Sequence, residues 1–301
     1  MFGIYFGKYL MEEGSITREQ YINLIEQTKN SKVQLGLLAV EMGLMTEDQA
    51  DEINLMQQKE DKRFGDLAVE MGYLTEEDVS DLLDRQGDPY LLFIQALVEG
   101  GLMTLDEIRE EQVIYRKAKG LSLLDLEDLK TGDVDRITPI FTKNAGIPGP
   151  LREYVMLTSR NIVRFVDRFF RMDRAEKIPQ IEVPNMALQH IVEGYPFYTI
   201  FAGSGNALSA LAQAFARTAF DVYDEVNCTL DATKEFLNVN NGLFLTELSK
   251  SQKKINLDYP IVKDVPTIIS ADRMYRIPYY IMDEKLDLIL CLEDEFQYRE
   301  K

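Results

Sequence analysis

Gly14, Gly43, Gly72 and Gly101 stand 29 residues apart, and no other feature narrows what the N-terminal part of this chain can fold into as much as that spacing. The same step separates Thr17, Thr46, Thr75 and Thr104, and also Phe6, Leu35, Phe64 and Phe93. Gly7, Gly36 and Gly65 form a further column, with Ile94 in the fourth place. A fixed period of about 20–50 residues marks a repeated supersecondary unit. The third copy, "FGDLAVEMGYLTEEDVSDLLDRQ" (64–86), shows how one unit is built. An apolar helical run meets Gly72, a stop of the C′ type. Thr75 then offers an N-cap, with Asp78 three residues on to answer it, and a second amphipathic helix follows. Neither helix can bury its apolar face alone, so the copies are expected to pack on one another.

These units resemble the MshEN-type repeats at the N-termini of secretion and pilus ATPases. The second copy, "QLGLLAVEMGLMTEDQADEINLMQ" (34–57), and the third, "RFGDLAVEMGYLTEEDVSDLLDRQ" (63–86), match best, with five residues between them as in the tandem arrangement of that family. The resemblance implies a cyclic di-GMP site over Gln34, Leu35, Gly36, Gly43, Gln57, Arg63, Phe64, Gly65, Gly72 and Gln86. Gln34 departs from the leading arginine of the motif. Tyr5 and Leu92 replace that arginine in the first and fourth copies, and Thr28 and Tyr115 replace the closing glutamine. A structural or docking repeat accounts for the glycines and apolar positions equally well.

The 301 residues carry a net charge of −18, and most of the acidic excess lies in the first 130. Neither half has the basic footprint that phosphate-backbone binding needs, so a nucleic-acid partner is not expected. No apolar run approaches the roughly 18 residues of a membrane span. The opening "MFGIYFGKYLMEEGS" turns acidic too soon for a secretory signal, and a cytoplasmic location is expected. Cys228 and Cys291 form neither a CxxC nor a zinc spacing and read as buried free thiols.

The 29-residue beat fades after residue 118. We expect a two-domain chain: all-α tandem helical repeats over 1–118, a linker over 119–149 ending in the turn-rich "NAGIPGP", and an α+β domain over 150–301. "LREYVMLTSRNIVRFVDRFFRM" (151–172) has helical spacing. "MALQHIVEG" and "YPFYTIFAG" read as two strands joined through Gly194–Pro196, "GSGNALSALAQAFA" as a helix, and "INLDYPIVKD" (255–264) as extended. "MYRIPYYIMDEKLDLILCLED" (274–294) reads as a hairpin about Asp283–Lys285, with Pro278 arguing for an edge or bulged strand. That order describes a mostly antiparallel sheet packed on helices.

Between those strands lies "DATKEFLNVNNG" (231–242). Asp231, Glu235, Asn238 and Gly242 follow at steps of four, three and four, which is one stripe of a helix expected to run from near Leu230 to Ser249. Thr233, Leu237, Phe244, Leu245 and Leu248 supply its buried side. Asn240, Asn241 and Gly242 could also end a helix. Glycine on the polar stripe removes a side chain where another surface could approach.

The stripe resembles the motif of the CheX/CheC/FliY group of chemotaxis phosphatases: Asp or Ser, three residues, Glu, two residues, Asn, and a glycine four later. Leu243 departs from it, and the presence of one motif resembles CheX more than CheC. The resemblance implies a CheX-like domain that removes the aspartyl phosphate of a CheY-type response regulator. The regulator would bring the phosphorylated Asp, a Lys and Mg²⁺, so this chain would bind no cofactor or metal of its own. Asn238 would orient the attacking water, since an amide both donates and accepts hydrogen bonds. Glu235 would pair with the regulator's Lys, Asp231 would charge the helix start, and Gly242 would let the partner close in. Dimerisation through the sheet is a further implication of the family. The alternative is a non-enzymatic signalling adaptor whose repeats bind cyclic di-GMP or a protein. Other chemistry finds little support: one histidine, His190, weakens metal and triad readings, no GxxxxGK[ST] occurs, and "GSGN" (203–206) suits a helix N-cap at Ser204 or Asn206 better than a phosphate loop.

Overall fold

The structure is a computed structural model that describes residues 2–28, 32–57, 59–60, 62–192, 195–220, 228–249, 256–292 and 296–301. Gly194 of the expected strand connection lies outside the described residues, as do the side chains of Cys228, Leu230, Leu248 and Ser249. The chain divides into two compact units, 1–132 and 133–301.

The described residues of the first unit form nine helices: α1 (Phe2–Glu12), α2 (Arg18–Thr28), α3 (Leu35–Glu41), α4 (Glu47–Gln57), α5 (Phe64–Glu70), α6 (Glu76–Asp84), α7 (Pro89–Glu99), α8 (Leu105–Ala118) and α9 (Leu123–Thr131). Each repeat column has one job. Gly14, Gly43, Gly72 and Gly101 take φ of 81°, 69°, 74° and 62°, the left-handed region where a side chain is strained. Each ends a helix with the two backbone bonds of a Schellman motif, as in Gly72 N to Val69 O and Tyr73 N to Ala68 O. The threonine column caps the second helix of each unit. Thr75 Oγ1 accepts from Asp78 N while the Asp78 carboxylate accepts from Thr75 N, and Thr17, Thr46 and Thr104 do the same with Gln20, Gln49 and Glu107.

The copies do not stack in sequence order. α1 and α2 pack on α7, joining the first copy to the fourth, while α3 packs on α5 and α6 and α4 on α5, joining the second to the third. Two glycines make room for these pairings. A Cβ on Gly7 would lie 2.7 Å from the Phe93 ring, and one on Gly36 3.0 Å from the Phe64 ring, so each glycine admits an aromatic ring from the paired copy. Phe2, Phe6, Tyr9, Tyr90, Phe93 and Tyr115 fill the first pair's core, with Phe2 edge-on to Tyr90 at 5.0 Å and Phe6 to Tyr115 at 5.5 Å.

Residues 119–149 are structured. Leu126 and Leu129 of α9 are buried, and α9 packs on α7 and α1. Gly132, at φ 69°, ends α9, and Asp133 caps α10 (Val134–Thr142), which packs on α11 (Gly149–Phe165). The division between units thus falls inside the stretch read as a linker, because its two apolar faces are buried in different units.

The second unit continues with β1 (Arg171–Met172), β2 (Glu176–Val183), β3 (Asn185–Ile191), β4 (Phe197–Gly203), α12 (Gly205–Phe220), α13 (Cys228–Ser249), β5 (Ile261–Lys263), β6 (Thr267–Ile281), β7 (Glu284–Leu292) and β8 (Gln297–Glu300). Every described ladder is antiparallel, in the order β1-β6-β7-β4-β3-β5, with β2 and β8 also paired to β6. α12 and α13 pack on β3, and α12 also on β4 and β7. The opposite face of the sheet carries a core of Met186, Leu188, Ile200, Met274, Ile289 and the buried free thiol Cys291, closed by Val183 and Ile269.

One expectation about element bounds needs correction. The helix expected over 151–172 stops at Phe165, and Phe169 and Phe170 lie beyond it. Asp167 is the cause: its carboxylate accepts from Phe169 N at 2.8 Å and from Met282 N at 3.0 Å, turning the chain into β1 and pinning the β6–β7 hairpin. That hairpin turns at Met282–Asp283, φ 49° and 65°. Pro278 sits in an interior strand, paired with Asp287 of β7, and on its other side the register shifts by one residue between β1 and β2, so of the two expected settings, edge or bulge, it occupies a bulge. Its carbonyl accepts from Asp173 N, so its missing N–H faces the break between β1 and β2, where no ladder bond is lost.

Candidate functional site

α13 is anchored before it is decorated. Phe236 lies edge-on to Phe201 of β4 at 5.5 Å and to Phe215 of α12 at 5.4 Å, while Phe244 meets Tyr154 of α11 at 5.1 Å. Thr233, Leu237 and Leu245 are buried beside them. The rotation of the helix is fixed by this packing, and the opposite stripe is left outward. Asp231 and Glu235 are exposed, Asn238 and Gly242 half-buried.

Lys234 Nζ lies 3.3 Å from Asp231 Oδ1, an exposed pair one turn along the helix. Such a pair is worth only about 0.3–0.5 kcal/mol, so it orders the helix start weakly. Glu235 Oε2 accepts from Asn238 Nδ2 at 3.4 Å, which joins the carboxylate and the amide on the surface. Nothing lies within 4 Å of where a Gly242 Cβ would stand. Among the described residues no neighbour requires glycine there, in contrast to Gly7 and Gly36.

The residues after Asn238 do not end the helix. Asn240 and Asn241 are fully buried, and α13 runs on past them. A buried amide without partners would cost roughly 1–3 kcal/mol, so their environment matters. Asn240 Nδ2 donates to Tyr154 Oη at 2.8 Å and to Thr158 Oγ1 at 3.0 Å, and its Oδ1 accepts from Asn161 Nδ2 at 2.8 Å. Tyr154 donates its single proton to Asn241 Oδ1, so Thr199 Oγ1 must donate to Tyr154, at 2.7 Å. Burial pushes the Tyr154 hydroxyl up to about 12, so it remains a donor well into the alkaline range. Asn241 Nδ2 donates to Gln189 Oε1 at 2.7 Å, and Gln189 Nε2 donates to Asn238 Oδ1 at 2.8 Å and to the Asp258 carbonyl at 2.9 Å. A continuous polar chain therefore runs from the middle of the domain to the surface amide.

Sequence reasoning named Asp231, Glu235, Asn238 and Gly242 and missed Gln189, Asn240, Asn241 and Tyr154. Part of the signal was available: Leu237, Asn241 and Phe244 follow at four and three, the core spacing of a helix, which puts an amide where an apolar residue belongs. Gln189 could not be linked to Asn238 in this way, because the contact joins a strand to a helix 49 positions away.

Most of the other expected groups make contacts within the chain. His190 lies in β3 with Nδ1 2.9 Å from Asp258 Oδ2. Ser204 caps α12, its Oγ accepting from Ala207 N at 3.1 Å, and a Cβ on Gly203 would stand 2.9 Å from the Lys285 carbonyl. In the first unit Gln86 Nε2 donates to the Val33 carbonyl at 2.9 Å, Gln57 Nε2 to the Lys62 carbonyl at 3.1 Å, and Gln34 Nε2 to Glu99 Oε1 at 2.6 Å. Leu35 and Phe64 open α3 and α5, Gly36 and Gly65 are buried against Phe64 and Val79, Gly43 and Gly72 end helices, and Arg63 is exposed at the N-cap of α5. No helix among the described residues is long and apolar enough to cross a membrane.

No family model matches the chain, and no curated protein matches it. Among solved structures, it is similar to the chemotaxis protein CheX of Desulfovibrio desulfuricans at 16% identity and TM-score 0.37, over 48% of this chain and 100% of that one. A CheC-like superfamily protein from Shewanella sp. PV-4 aligns at 11% identity and TM-score 0.37, over 49% and 99%. The CheX–CheY–BeF3–Mg complex from Borrelia burgdorferi aligns at 13% identity and TM-score 0.31, over 50% and 97%.

Proposed function

We propose that the second unit is a CheX-like chemotaxis phosphatase that removes the aspartyl phosphate of a CheY-type response regulator, and that the first unit docks or senses for it. The observation that carries this reading is the outward stripe of α13. It sets an exposed carboxylate, an amide held from behind and a glycine with open space in front of it on a rigid helix. Among the described residues, Glu235 bonds Asn238 and no neighbour needs glycine at 242.

An acyl phosphate is already activated, so the missing element is a water held in line with the scissile bond. Asn238 orients that water, which is catalysis by positioning. Glu235, one turn earlier, reaches the regulator's Lys and sets the register of the two proteins. Asp231 adds negative charge at the helix start. Mg²⁺ belongs to the regulator in this reading and neutralises charge on the phosphoryl oxygens there.

The test is phosphate loss from a phosphorylated CheY-type regulator with Mg²⁺, with and without this protein. Wild type is expected to accelerate it, and Asn238→Ala to lose about 10²-fold of that acceleration, the usual cost of removing one preorganised polar contact. Equal rates for wild type and Asn238→Ala would refute the assignment. A wild type that binds the regulator without removing phosphate would instead identify an adaptor. Calorimetry of the full chain with cyclic di-GMP tests the ligand implied for the repeats.

A further inference from the structure

Rotation about its last side-chain bond lets a surface asparagine present either oxygen or nitrogen at almost the same place. An amide that must hold a water in one geometry has to be prevented from doing so. Gln189 has the bonds to prevent it. It is buried on β3, directly opposite Thr199 of β4, on the face that α13 covers. Both Nε2 hydrogens are committed, one to Asn238 Oδ1 at 2.8 Å and one to the Asp258 carbonyl at 2.9 Å, and Oε1 accepts from Asn241 Nδ2 at 2.7 Å. Reversing the Gln189 amide would set Nε2 against the nitrogen of Asn241 and Oε1 against two acceptors, so only one orientation is satisfied. Asn241 is held in turn by the Tyr154 hydroxyl, and Tyr154 by Thr199 and Asn240.

We propose that Gln189 is a positioning residue for the Asn238 amide. It pins Oδ1 inward, so Nδ2 is always turned to Glu235 and the surface. This rests on the phosphatase reading of Asn238. Gln189 touches no reacting atom. It selects one of two amide orientations before the regulator arrives, and that preorganisation sets the rate of the chemical step without altering the docking surface.

Gln189→Glu tests it. A carboxylate still accepts from Asn241 but cannot donate to Asn238, so the Asn238 amide is driven to turn its nitrogen inward. At mildly alkaline pH the maximal dephosphorylation rate is expected to fall at least about tenfold, with the half-saturating regulator concentration within about twofold of wild type. Burial raises the pKa of the introduced carboxyl, and its protonated form can donate again. Activity relative to wild type is therefore expected to recover as pH falls, with the fraction folded, followed by circular dichroism, unchanged over the same range; a parallel loss of folded protein would make the role purely structural. An active wild type, an inactive Asn238→Ala and a Gln189→Glu indistinguishable from wild type would overturn the clamp and leave the phosphatase reading standing. A second measurement is independent of activity and of that variant's folding. In the wild-type chain the side-chain amide protons of Gln189 should exchange with solvent far more slowly than those of an exposed glutamine. Exchange at the free rate would overturn the clamp even if the phosphatase reading had already failed.

Discussion

Asn161 on α11 donates from Nδ2 to Oδ1 of Asn240 on α13 at 2.8 Å, and both side chains are buried. The helix that presents the surface stripe is thus tied to its neighbour by an amide pair as well as by apolar packing. Asn240→Leu keeps the branched shape with somewhat more bulk and removes three hydrogen bonds at once, leaving the Asn161 amide without its acceptor and Tyr154 with Thr199 as its remaining donor. A loss of roughly 2–3 kcal/mol of stability is expected, read as a lower urea midpoint at unchanged slope. A shift below about 0.5 kcal/mol would mean that these bonds are replaced by water.

Gly242→Ala should have opposite effects on stability and function. It is a helix-interior glycine with open space where the Cβ would stand, so alanine is expected to stabilise by up to about 1 kcal/mol. The same methyl would occupy the space proposed for the regulator, so binding should weaken. Higher thermal stability with unchanged regulator affinity would show that Gly242 does not face the partner.

The glycines that end the repeat helices should behave differently. Gly72 has φ of 74°, with nothing within 4 Å of where a methyl would stand, so the cost of substitution is conformational alone. Gly72→Ala is expected to lose about 1–2 kcal/mol, and Gly72→Asn less, because asparagine tolerates the left-handed region. Equal losses for the two variants would point to a steric cause instead.

Alkaline pH should destabilise the second unit, in part through the buried Tyr154. The Tyr154 hydroxyl is raised by burial from 10.0 to about 12, so the folded state holds its proton more tightly than the unfolded state. Its contribution is fully present below pH 10.0 and is lost as pH rises toward about 12. Urea midpoints should fall across that window, and Tyr154→Phe should be less stable at neutral pH yet show a shallower alkaline decline. An equally steep decline in that variant would assign the effect to other groups.

The local rules of the first unit were open to reading from the sequence, because a Schellman glycine and a threonine cap act within six residues of themselves. The stripe on α13 was legible for the same reason, through 3.6-residue periodicity. Contacts set by distant partners were not. The spacing that suggested a helix to Met172 is real, but Asp167 ends it by bonding Met282, which is 115 positions away. Asn240 and Asn241 read locally as helix-ending residues, and only Tyr154, Asn161 and Gln189 make them core residues. Pro278 suggested an edge or a bulge, and only the break between β1 and β2, invisible in a strand's own sequence, decides between them.

The first copy closes on the fourth while the second closes on the third, so the four copies nest like two pairs of brackets. Open solenoids can lose an end repeat and keep the rest, since each repeat leans only on its neighbour. Here the outer bracket shuts only when α1 meets α7, and the Phe6–Phe93 core is shared between its two ends. Removing the last copy would strip the first of its partner, leaving the middle pair flanked by an orphan. Copy number is therefore fixed by the architecture, and adding or losing one 29-residue period would break the fold where a solenoid would merely lengthen or shorten.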